Sequence, residues 1–238
     1  MSARSMFDRW SGASGATATV FGVLAGIGGM THGVGEVLQG DTAVQGLALD
    51  SWTTGPIARN MGGEPGITVL PTAFWAGVTT VVLATAVILW SIMRVRERGG
   101  GLVLIILSTG MLLSGGGVGP PLIGILAGVV GRSGNDRPRP KMIDRASARS
   151  RRRWARVLPP LFVVAVANAT FLVLGSLILV YAIDFNQPTL FEWSFYLTVL
   201  MLLALTMAAP AYDAAHRVGP ESRGRAHDAE RHRVGAGS

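Results

Sequence analysis

In the stretch GGMTHGVGEVLQG, His32 and Glu36 stand four residues apart, a spacing that places both on one face of a helix. An imidazole beside a carboxylate can relay protons, bind a cation or supply half of a metal site. One histidine and one carboxylate fall short of the roughly four ligands of a closed zinc centre, so no metal or other cofactor is assigned. Apart from Thr31 and Gln39 the residues around the pair are apolar or glycine, and an ionisable group within a membrane segment is costly enough that function is its default explanation. A local reading competes with this. If the helix starts near Ala16, Glu36 lies about one turn from its end, where a carboxylate reaches the headgroups and the pair is an interfacial ion pair or hydrogen bond.

The same helix carries Gly22, Gly26, Gly29 and Gly33 at spacings of four, three and four, a stripe that lets another helix approach backbone to backbone. A third candidate polar residue, Asn168, stands alone within a later apolar run and is expected to hydrogen-bond a neighbouring helix. The surrounding NAT matches a glycosylation sequon, but a sequon inside a span is a false match.

These residues sit in a chain of 238 residues that is 49% hydrophobic and 15% charged, with a mean hydropathy of +0.42. Soluble domains carry about 25% charge, so the composition is that of an all-α integral membrane protein of several spans. There is no cysteine, which removes disulfides, thiolate metal sites, iron-sulfur clusters, thiol nucleophiles and palmitoylation. No Walker loop, complete dinucleotide fingerprint, HExxH, GxSxG or kinase signature occurs, so an enzyme is not favoured.

The apolar runs predict helices at about 16–38, 67–93, 157–183 and 190–211, with Pro71 and the Pro159–Pro160 pair in first turns, where a missing N–H does little harm. A fifth run, 101–131, contains LLSGGGVGPPLIG. Gly115, Gly116 and Gly117 each weaken a helix by about 1 kcal/mol relative to alanine, and Pro120, followed by Pro121, disfavours helical geometry at Gly119. The run is therefore expected to break into two arms, as a re-entrant or broken hairpin, with a kinked crossing or two thin crossings (five to six spans in all) as alternatives.

Charge supports the hairpin. The chain has a net charge of +7, with Lys141 its one lysine. If 101–131 turns back on itself, 20 of the 21 basic residues fall on the cytoplasmic side and Arg59 alone lies outside, as the positive-inside rule requires. The expected organisation is a cytoplasmic N-terminus (1–15), a membrane unit (16–131), a basic cytoplasmic linker (132–156), a transmembrane hairpin (157–211) and a disordered cytoplasmic tail (212–238), in the plasma membrane. The linker arginines suit anionic lipid headgroups, and with a bilayer adjacent nucleic acid is not favoured. The outer loop, 39–66, is long enough to fold over the outer face or bind something. Two functions fit. The leading one is a non-catalytic membrane subunit or assembly partner, docked through the glycine stripe onto a second copy or another membrane protein. The alternative is a small transporter or channel-like protein whose Gly115–Pro121 tip and His32/Glu36 pair line a polar path.

Overall fold

The computed structural model describes residues 12–135 and 148–217; the expected N-terminus, the centre of the basic linker and most of the tail lie outside them. In chain order the elements are α1 (Ala13–Leu38), β1 (Ala48–Asp50), α2 (Gly55–Met61), β2 (Pro65–Ile67), α3 (Ala73–Met93), α4 (Gly100–Leu113), α5 (Gly119–Asn135), α6 (Ala148–Thr170), α7 (Ser176–Ile183) and α8 (Pro188–Arg217). A five-residue π turn, Phe171–Gly175, joins α6 to α7. Among the described residues, Ala13–Leu38, Ala73–Met93, Arg156–Ile183 and Pro188–His216 are long and apolar enough to cross a membrane.

Helix α1 is the axis of the bundle, and its small residues explain why. A Cβ at Gly26 would lie 2.9 Å from the Ala84 carbonyl oxygen, and one at Gly33 2.9 Å from that of Gly77, both on α3. Gly22 meets Ser91 of α3, and Gly29 meets Met111 of α4. The glycine stripe is therefore filled within the chain, by α3 and by α4. A Cβ at Gly28, off the stripe, would lie 2.9 Å from the Pro120 ring, and one at Gly35 2.6 Å from the Trp52 ring. Each of these bare positions admits a neighbour that any side chain would displace.

Helices α4 and α5 form an antiparallel hairpin, seamed where Gly101 and Gly128 face each other, a Cβ at Gly128 falling 2.7 Å from the Gly101 carbonyl oxygen. Between them Gly115 (φ +113°) and Gly117 (φ +72°) take backbone conformations that side-chain-bearing residues rarely adopt. Pro120 and Pro121 open α5, where an absent N–H has no helical partner to lose. At one end of the hairpin Gly131 packs on Ala18, and at the other Gly115 packs on Glu36. Those two contacts are 18 residues apart on α1, about 27 Å at 1.5 Å per residue, close to the roughly 30 Å of a hydrocarbon core. The turn is thus level with the last turns of α1, not half-way along it. The second arm is longer than expected because Gly131 packs against Ala18 instead of ending the helix.

Three further boundaries differ from expectation. The second span starts at Ala73, not near 67, because Ile67 pairs with Ala48 in the two-stranded antiparallel sheet and the Val69 N–H is taken by the Leu113 carbonyl at 3.0 Å. Pro71 consequently precedes the helix. Helix α6 starts at Ala148, within the segment expected to be linker, since its arginines and alanines are good helix formers; Pro159 and Pro160 are therefore interior. Helix α8 continues to Arg217, past the expected end at 211. In that extension Asp213 accepts the Ala13 N–H at 2.7 Å through Oδ1 and the Ser14 N–H at 3.0 Å through Oδ2, capping the positive end of the α1 dipole.

Candidate functional site

The last two turns of α1 present His32 and Glu36 on one face, and both are buried, Glu36 completely. Residues 39–72 fold across this end of the bundle and cover the carboxylate. Three features pin that cap. β1 and β2 pair with Leu49 opposite Gly66, Thr68 bridges to Ser114 at the hairpin turn, and Gln39 Nε2 donates to the carbonyls of Asp50 (2.8 Å) and Ser51 (2.9 Å). The cap delivers two side chains that complete the site.

Ser51, fully buried, lies between the sequence-predicted partners. Its hydroxyl donates to Glu36 Oε1 at 3.0 Å, and its oxygen stands 2.8 Å from His32 Nδ1. A serine has one hydrogen to give. With that hydrogen on Glu36, the Ser51 oxygen accepts from the ring, which assigns the proton to Nδ1. On the other side of the ring, Nε2 is 3.4 Å from Glu64 Oε2, an ion-pair distance but longer than a good hydrogen bond. Four groups therefore stand in a row: Glu64, His32, Ser51 and Glu36. The histidine and the carboxylate of Glu36 communicate through a hydroxyl.

The glycine turn closes over this row. A Cβ at Gly115 would stand 2.6 Å from each carboxylate oxygen of Glu36, and one at Gly117 2.5 Å from His32 Nε2 and 2.8 Å from Nδ1. Bare backbone at these two positions is what lets the hairpin cover both side chains. Gly116 backs onto Met111, and Gly119 lies beside Phe195. Next along the hairpin, Ser114 Oγ and Thr80 Oγ1 share a hydrogen bond of 3.0 Å. Glu36 Oε2 has no hydrogen-bond partner among the described residues, so one oxygen of a fully buried carboxyl group is left without compensation.

Glu64 reaches His32 from a strained backbone. Its φ is +54°, directly after Gly62 (+67°) and Gly63 (+77°), and a left-handed conformation costs a residue with a side chain about 1–3 kcal/mol. The Ser51 N–H donates to the Glu64 carbonyl at 3.3 Å and the Trp52 N–H to that of Gly63 at 3.0 Å, which holds the strained segment beside β1. Beyond Glu64 and His32 opens a cavity of about 350 Å³, walled by Pro120, Ile123, Leu172, Val173, Phe191 and Phe195 among others, with Glu192 also on its lining. Val173 comes from the π turn, a deviation frequent at functional sites.

No protein-family model, curated protein or solved structure matches this chain. What the site can do must be read from its own geometry. Among the described residues no group of three or more histidine, aspartate and glutamate side chains is placed to hold a metal ion. Asn168 is not part of the row. Its Nδ2 donates to the Ser194 carbonyl (2.8 Å) and to Thr198 Oγ1 (2.7 Å), and its Oδ1 accepts from Ser194 Oγ (3.1 Å), fastening α6 to α8. Asp184, outside the spans, is bound by Asn60 at 2.7 Å and Arg59 at 3.3 Å, which fastens the cap to the α7–α8 turn.

Sequence reasoning missed Ser51 and Glu64. A single serine in a polar loop carries no signal of its own, and Glu64 reads, with Asp41 and Asp50, as one of the acidic residues that suit an outer loop. The usable hint was the length of the loop.

Proposed function

We propose that this chain is a small proton-coupled membrane transporter in the cell membrane, its termini cytoplasmic and its 39–72 cap outside. The observation that carries this reading is the row Glu64–His32–Ser51–Glu36, open to a cavity at one end and closed by bare glycines at the other. A purely structural role has little use for a fully buried carboxyl group with an unpartnered oxygen, since desolvating an ion costs several kcal/mol and an apolar side chain would fill the space. The orientation is supported by the distribution of basic residues, and the hairpin, reaching the outer end and returning, keeps both of its flanks inside.

In this mechanism a proton from Glu64 or from the cavity binds His32 Nε2. The ring then releases its Nδ1 proton to Ser51 Oγ as the serine passes its own proton to Glu36 Oε1. The ring is left neutral with its proton on Nε2, and Glu36 is protonated; the reverse transfer, from Glu36 through Ser51 to His32 Nδ1 and from Nε2 to Glu64 or the cavity, returns the proton and resets the row. Because the glycine stripe is occupied by α3 and α4, the feature that favoured a docked subunit is used inside the fold, and the transport reading is the better supported one.

The test is proton flux into proteoliposomes of the purified full chain, driven by a potassium diffusion potential and followed with an entrapped pH-sensitive dye. Wild type should exceed empty vesicles, and Glu36→Gln and Ser51→Ala should each lose at least about tenfold while eluting as folded protein, general acid–base relays contributing 10²–10⁴-fold where they operate. Flux through Glu36→Gln equal to wild type would sink the proposal, as would a wild-type rate no faster than empty vesicles.

A further inference from the structure

The cavity beside the row has its own chemistry. It is walled largely by aliphatic and aromatic side chains, and among the described residues its charged lining groups are Glu64 and Glu192, with no lysine or arginine. Its one basic lining group, His32, is already held between Ser51 and Glu64. Glu64 is the inner carboxylate, its side chain 18% exposed and its Oε2 buried without a hydrogen bond, whereas Glu192 is exposed at the rim. Phe191 and Phe195 stand four residues apart on α8, on the same face and so stacked along one wall. About 350 Å³ lies at the lower end of the range of small-molecule sites.

We infer that this cavity binds a small organic cation, an amine or quaternary ammonium carried on an apolar body. The charged head meets Glu64 at the inner end, and the body lies against Phe191, Phe195 and Leu172. Rings presented to a cation attract it through their negative faces, and the carboxylates supply the opposite charge in a largely apolar enclosure where such attraction is poorly screened. An anionic ligand would meet two carboxylates and no free cation. The inference deepens the transport reading and rests on it in taking the cation as the species moved, with Glu64 shared between the ligand and the proton row. A cation that occupies Glu64 withdraws it from His32, so loading the cavity and loading the row become alternatives, and bound cation slows the entry of protons into the row.

The experiment is equilibrium dialysis of the full chain in nanodiscs against three probes of similar shape: benzyltrimethylammonium, benzyl alcohol and benzoate. Saturable binding of the cation alone, weakened about tenfold or more by Glu64→Gln and several-fold by Glu192→Gln, is the expected result. The rim substitution guards against misfolding of the strained Glu64 position. Benzoate or benzyl alcohol binding as tightly as the cation would overturn the inference, and so would cation binding indifferent to both substitutions or no saturable binding at all. Wild-type proton flux, measured separately, distinguishes the two readings. Flux without cation binding defeats the cation site alone, and binding without flux defeats the transport reading while leaving the site.

Discussion

Gly115→Ala offers a quantitative test of the closed site, because the chain supplies its own control. Gly115 and Gly46 both have positive φ, +113° and +82°, but a Cβ at Gly46 meets nothing within 4 Å, whereas one at Gly115 falls 2.6 Å from both oxygens of Glu36. Both substitutions incur the backbone cost of about 1–3 kcal/mol. At Gly115 the carboxylate must also retreat by roughly 0.8 Å to restore an ordinary contact near 3.4 Å, a shift expected to break its 3.0 Å bond from Ser51. A hydrogen bond to a charged group is worth about 1.5–3 kcal/mol. The expected excess of Gly115→Ala over Gly46→Ala is therefore about 2 kcal/mol, or roughly 4–8 °C in Tm for a chain of this size. Intrinsic-fluorescence melting of both variants in one detergent measures it. Equal losses in the two variants would mean that Glu36 does not lie against the hairpin turn, and the closed row of four groups would have to be abandoned.

Two further predictions concern contacts that hold the ends of the bundle. Asp213→Ala removes both acceptors at the start of α1 and should cost about 1–2 kcal/mol, with faster amide exchange at Ala13 and Ser14; an unchanged melting temperature would show that the cap contributes nothing. The Asn60 side chain first, and Arg59 second, hold the Asp184 carboxyl below its ordinary range. A carboxyl depressed in the folded state stabilises above its unfolded pKa, about 3.9, and loses that contribution as pH falls through the folded value. Wild type and Asp184→Asn should therefore differ in thermal stability at neutral pH and converge below about pH 4; a difference that persists undiminished at low pH would contradict the assignment.

The sequence was legible where one physical rule dominated. Long apolar runs marked the four helices long and apolar enough to cross a membrane, and the cluster from Gly115 to Pro121 marked a turn because positive φ and missing N–H groups leave few alternatives. The spacing of His32 and Glu36 placed them together. What it concealed depends on contacts between distant segments. The glycines at 22, 26, 29 and 33 announce close approach but not the partner, and the partner proved to be α3 with Met111 of α4. Ser51 becomes meaningful once the cap has folded over α1. The start of α6 was misplaced because nine residues of arginine-rich chain, 148–156, read as linker by charge, although arginine and alanine favour helix by propensity. Asp213 looked like tail, since nothing local to AYDAAHR shows that its carboxylate meets a helix end across the molecule.

That last contact also bears on how the protein is made. Ala13 and Asp213 are 200 residues apart, and at about 5–20 residues per second of synthesis roughly 10–40 s separate their emergence from the ribosome. Until α8 has been made, the Asp213 carboxylate is not there to accept from the opening turn of α1. Helix α8 then arrives carrying the carboxylate that caps the start of α1, so a contact at one end of the first helix waits on a segment made 200 residues later.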